Sequence, residues 1–253
     1  MAFLPQAWGG AWLALLLLFA AVVGGPLLLA GQQLPLIFAP LMIFCCLLLK
    51  LISQGALYRI ALFGKEAKAE GLGFGGLQIA RPELRLLLAM LIMALFIMGI
   101  VAALFLVFAI ALDMSGLTAG YDSSVAAVCA IWRRHRGSDY VFIAYIAAAT
   151  LFLIFVALKF ALLPAANISG RRLVTLNALG LSSGNTGKLF IGLVAVILPF
   201  VLAGGIAGYH FSHGRGFPIL HIAWLALGIF GLLPLIVGFL ASAYRQIVAI
   251  RSK

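Results

Sequence analysis

The residues in this chain best suited to chemistry are three histidines close together. His210-Phe211-Ser212-His213 has H-x-x-H spacing, and His221 follows. Two histidines three apart on a helical turn share a face and, with a third ligand, could hold zinc or copper. Gly208, Gly214, Gly216 and Pro218 fall in the same segment. Regular helical spacing is therefore not expected, and the three read as interfacial histidines with no metal. Asp113 and Asp122 lie in another external loop.

Two glycine patterns also invite a chemical reading. Gly180-Leu181-Ser182-Ser183-Gly184 fits G-x-S-x-G, in which a serine needs a histidine base and a carboxylate within reach. His210, His213 and His221 are assigned below to the opposite membrane face, about 30 Å away, so the run reads as a turn or helix cap. Gly71-Leu72-Gly73-Phe74-Gly75-Gly76 contains G-x-G-x-x-G, which cradles a dinucleotide only between a strand and a helix. Here it lies between the charged stretch from Lys65 to Glu70 and Arg81-Pro82. A flexible turn against the membrane surface is the expectation, with no cofactor and no catalytic residue.

The elements that must position these residues are membrane helices. Of 253 residues, 65% are hydrophobic and 9% charged, an excess of apolar surface that a soluble domain could not bury. Runs long enough to cross a hydrocarbon core of about 30 Å recur throughout. They predict one all-α transmembrane domain over residues 1–253, with six spans at about 12–30, 34–52, 86–112, 140–163, 190–209 and 217–244 and short amphipathic segments at the interface. The first run has no basic residue ahead of it and is read as a retained helix, although Gly24-Gly25-Pro26 could interrupt it. Pro40, Pro164, Pro199 and Pro234 predict kinks.

Basic residues set the orientation, because lysine and arginine resist translocation. Six lie between Lys50 and Arg85, four between Lys159 and Lys188, and three between Arg245 and Lys253, against four (Arg133, Arg134, Arg136 and Arg215) in the alternate segments. This bias predicts a bacterial inner-membrane protein with both termini cytoplasmic. The net charge of +11 then reflects anionic lipid and topology, with no nucleic-acid partner. Lys50, Arg59, Arg81, Arg85, Lys159, Arg171, Arg172, Lys188 and Arg245 are the expected contacts to headgroups on the cytoplasmic side. Among the Asp, Glu, Lys and Arg residues, Lys50 and Lys159 lie within the spans and Asp113 at the edge of one, all near span ends. That scarcity argues against ion-coupled transport. Cys45 and Cys46 read as inert packing residues, and with Cys129 they form no disulfide framework or paired metal motif. Gly204, Gly208, Gly231 and Gly238 permit close helix approach.

The connections before the third and fifth spans share a form, with a basic residue closing one helix and another opening the next. At Ala178-Leu179-Gly180-Leu181-Ser182-Ser183-Gly184-Asn185, and more weakly from Gly55 to Arg59, the chain resembles bacterial six-helix proteins of the glycerophosphodiester phosphodiesterase membrane-domain type. It departs from them where Thr186 and Gly187 replace an aromatic beside the Gly-Asn turn. The resemblance implies a non-catalytic membrane module. The functional expectation is an accessory or organising subunit of a larger membrane complex, in contact with membrane lipids and a protein partner. The alternatives are a carrier of a neutral or lipidic molecule, and an enzyme or metal protein built on the histidines.

Overall fold

The computed structural model describes residues 3–31, 38–78, 81–114, 139–170, 175, 180, 182–212 and 218–251. The protein is all-α, and six helices are long and apolar enough to cross a membrane. They are α1 (Phe3–Gly31), α2 (Phe38–Phe63), α3 (Arg81–Met114), α4 (Asp139–Phe160), α6 (Thr186–Ser212), and a last span made of α7 (Pro218–Ala226), a π turn (Leu227–Leu232) and α8 (Leu233–Arg251). A short helix, α5 (Leu163–Ser169), lies between α4 and α6.

The spans differ from the sequence expectation mostly at their ends. Hydropathy marks the apolar part of a helix, while the hydrogen-bonded ladder runs on wherever packing supports it. So α2 continues past Ile52 to Phe63, burying Leu57, Tyr58 and Ile60. The fourth span stops at Phe160 instead of Leu163, and the chain turns into α5, whose Leu163, Ala165, Ala166, Asn167 and Ile168 are buried. This short helix is an inserted plug packed on α2 and α3; the amphipathic stretch expected around Arg171 and Arg172 lies outside the described residues. Asn167 satisfies one of its polar atoms inside the plug by donating to the Leu163 carbonyl at 3.0 Å.

The prolines act differently from the expectation of four kinks. Pro40 and Pro164 occupy first helical turns, where the missing N–H has no partner to lose. Gly24-Gly25-Pro26 leaves α1 helical through Gly31, and the one non-helical residue in α1 is Ala11, at φ −120° and ψ 15°. Pro199 lies inside α6. Pro234 has no N–H to give to the Phe230 carbonyl four residues back, and the π turn immediately precedes it. That carbonyl is satisfied from another helix, by the Trp8 indole at 2.9 Å.

The main core sits at one end of the bundle. Ala7, Ala11 and Leu15 of α1, Leu57 of α2, Leu86 of α3, Phe160 of α4, the α5 plug, Leu189 of α6 and Val237, Leu240 and Ala241 of α8 form one cluster. Phe3 lies over Gly238, and Arg245 donates to the Ala61 and Leu62 carbonyls at the end of α2. The start of α1 and the last part of α8 therefore share the end where α2 passes to α3. Far from it, α3 and α4 meet again through Phe108, Leu112 and Phe142, with Tyr145 donating to the Leu104 carbonyl at 2.7 Å. Glycines make close contacts within the chain: Gly204 lies under Trp224, Gly231 near Phe200 and Gly238 under Phe3. Gly208 belongs to the backbone of α6, and its surroundings lie outside what is described.

Candidate functional site

Arg59 is the largest side chain buried completely, and its surroundings explain why a cation is tolerated there. It sits on the last two turns of α2, facing the first turn of α3. Its Nη2 donates to Glu83 Oε1 at 2.5 Å, with both side chains 2% exposed. Its Nη1 donates to the carbonyls of Glu70 and Gly71, at 2.9 and 2.6 Å. Gln78 closes the ring: its Nε2 donates to the same Glu83 oxygen at 3.2 Å, and its Oε1 accepts from the Gly73 N–H at 2.6 Å. A planar guanidinium can serve acceptors on several sides at once, as an ammonium cannot.

Glycine makes this arrangement possible on two sides. A methyl at Gly55 would come 3.2 Å from Glu83 Oε1, and one at Gly76 would come 2.8 Å from the Ala11 Cα. Gly76, at φ +83°, presses the loop onto α1 where Ala11 leaves helical geometry. The run from Gly71 to Gly76 is therefore a built clasp held to Arg59, not the loose surface turn expected. It also corrects the reading of Arg59 as a headgroup contact, since the guanidinium is spent on protein oxygens. Glu83, the partner of Arg59, is not among the candidates that the sequence singles out. The available signal was an acid placed between Arg81 and Arg85 at the mouth of an apolar helix.

The remaining candidates divide by position. Arg81 and Lys188 are exposed, Arg85 and Lys159 are half-buried, and Lys159 lies over the Phe155 ring at 5.3 Å. Arg245 is exposed yet anchored to the end of α2. Arg171 and Arg172 lie outside the described residues. So does His213, as do the side chains of His210 and His221, whose backbones belong to α6 and α7. Among the described residues no three His, Cys, Asp or Glu side chains gather as a metal site would require. Ser182 is buried and donates to the Lys159 carbonyl at 3.2 Å, while its own carbonyl accepts from the Asn185 N–H and the Thr186 hydroxyl. It ties the start of α6 to the end of α4, as a cap does.

Lys50 occupies a setting that the sequence does not show. The helix does not stop beside it: α2 continues thirteen residues beyond, to Phe63. Lys50 lines a cleft of about 620 Å³ enclosed by α1, α2, α7 and the π turn, and it is the one charged residue among those described there. Leu18 and Val22 form one wall, Met42, Cys46 and Leu47 a second, and Gly228, Ile229 and Leu232 of the π turn a third. A second apolar cleft, about 400 Å³, separates α4 from α6 and contains no charged residue among those described.

No family model, curated protein or solved structure matches the chain. In the clasp the guanidinium, carboxylate and amide are mutually engaged. The Lys50 cleft is an apolar trough in which Lys50 is the one charged residue among those described.

Proposed function

We propose that the protein is a non-enzymatic multi-pass protein of a bacterial inner membrane, serving as an accessory or organising subunit of a larger assembly. Its termini and the Arg59 clasp face the cytoplasm. The observation that carries this reading is the middle of α3. From residue 90 to residue 107, about 27 Å of helix, no side chain is buried. One seam, Met90, Met93, Ile97 and Ile100, rests on the core and is itself only partly covered. A helix of a self-sufficient bundle has a buried stripe along its length. This one has a narrow seam and a broad apolar face, with Leu91, Leu95 and Met98 all more than half exposed. Within a bilayer, close packing against another subunit's helix covers such a face as well as lipid does.

Purification in mild detergent followed by mass measurement tests the reading. A stoichiometric partner is expected. Leu91→Trp with Leu95→Trp should release it while leaving the protein's own melting temperature unchanged. A strictly monomeric protein without a partner overturns the proposal. The resemblance at residues 178–185 fits the same role of a non-catalytic module.

The 620 Å³ cleft favours a second reading, a carrier of a neutral or lipidic molecule. Scrambling of labelled phospholipid across vesicles holding the purified chain is its expected signature, and vesicles no faster than protein-free ones would remove it.

A further inference from the structure

We infer that the cleft between α1, α2 and the π turn is a binding site for an anionic phospholipid, with Lys50 on the headgroup phosphate and an acyl chain lying along α2 toward Ala39. This requires the chain to sit in a membrane, and is independent of whether it serves as an accessory subunit.

Three observations converge on it. The first is shape. From Ala39 to Lys50 the cleft follows twelve residues of α2, about 17 Å from first to last at 1.5 Å rise per residue. That is close to one leaflet of a hydrocarbon core about 30 Å thick. The second is charge. The aliphatic stem of Lys50 lines the end of this trough nearer the packed core, the side chain is exposed so that its ammonium stands at the rim, and the other described lining residues are uncharged. The one ion pair among the described residues is Arg59–Glu83, so no described carboxylate neutralises Lys50. A cation placed within a spanning helix needs an anion or a route to the headgroups, and an anionic lipid seated in the trough supplies both the phosphate and the chain. The third is the wall. Gly228, Ile229 and Leu232 line the cleft from a π turn, whose wider coil departs from regular packing. Such turns recur at functional sites.

The charge decides among occupants. A neutral lipid or an apolar helix from another subunit would fill the trough but leave Lys50 without a counter-charge. An anionic phospholipid satisfies both, and it is the anion a bilayer already holds.

Adjacent cysteines provide the test. Cys46 lines the cleft, whereas the neighbouring Cys45 is exposed away from it. The full chain carrying Cys129→Ser and one of these two cysteines is labelled with bimane in phosphatidylcholine nanodiscs. Chain-brominated phosphatidylglycerol or chain-brominated phosphatidylcholine is then titrated in. The label at Cys46 is expected to be quenched at about fivefold less phosphatidylglycerol than phosphatidylcholine, the worth of one lysine near a charged headgroup. The label at Cys45 should respond to both alike. Lys50→Gln should abolish the preference and Lys50→Arg should keep it.

A label in the cleft can itself displace a lipid, so native mass spectrometry of the unlabelled protein provides a second measurement. Selective retention of phosphatidylglycerol is expected for the natural sequence. It should be lost in Lys50→Gln and in Met42→Trp, which fills the trough and leaves the charge. Equal retention of both lipids, a preference that survives Lys50→Gln, or a protein segment in place of lipid overturns the proposal.

Discussion

Arg59 and Glu83 show what a residue type can and cannot reveal before its partners are known. An arginine at the end of an apolar run has two stable environments, the headgroup layer and a buried ion pair, and hydropathy is blind to the difference. Three acceptors 24 residues or less along the chain decide it. Removing one partner leaves the other charged and buried, which costs about 3–5 kcal/mol. Arg59→Ala and Glu83→Ala should therefore each lower the melting temperature markedly in detergent. The paired change Arg59→Met with Glu83→Leu should cost less than either, and Arg59→Lys should rescue poorly. Equal melting of Arg59→Ala and the natural sequence would falsify the clasp. The glycines of the loop allow a second comparison at this scale. Gly64→Ala meets only the strain of φ +56°, with open space around the new methyl, a cost of about 1 kcal/mol. Gly76→Ala adds a 2.8 Å encounter with the Ala11 backbone. It should be clearly the worse of the two in a thermal melt, and equal effects would mean that the loop does not press on α1.

At the scale of elements, hydropathy locates helices but not the reasons they bend or stop. All six spans were legible because each is a long apolar run. The kinks expected at proline were misplaced because a proline in a first turn disturbs nothing, as at Pro40 and Pro164. The π turn could not be read from composition, since what makes it tolerable comes from another helix: Trp8 of α1 takes the carbonyl that Pro234 leaves unserved. That pairing predicts coupling between distant residues. Trp8→Phe should destabilise the protein by about 0.5–1.5 kcal/mol, the net worth of a hydrogen bond. In a Pro234→Ala background, where a backbone N–H can reach the Phe230 carbonyl, the same change should cost less. A double-mutant cycle measures the difference, and strict additivity would show that the indole and the proline act independently. Lys50 belongs to the same lesson. Its apolar surroundings were plain in the sequence, but the cleft exists only because α1, α2 and the π turn lie side by side.

For the whole molecule, two statements about topology rest on different physics and can be tested apart. Phe3 over Gly238 and Arg245 on the α2 carbonyls put the start of α1 and the last part of α8 at one end, whichever way the protein faces. The excess of basic residues, thirteen against four, concerns which compartment that end occupies. Reporters fused ahead of Met1 and after Lys253 should therefore agree with each other, and both should be active only in the cytoplasm. Agreement on the outside would leave the packing intact and overturn the charge argument. Disagreement would break the packing itself, because α1 could not then supply Ala7, Ala11 and Leu15 to the core that α8 completes. Moving charge should act on the second statement alone. Replacing Arg81, Lys188 and Arg251 by glutamine weakens the bias without touching the clasp. The fraction of wrongly inserted protein should rise, while the molecules that insert correctly keep the natural melting temperature.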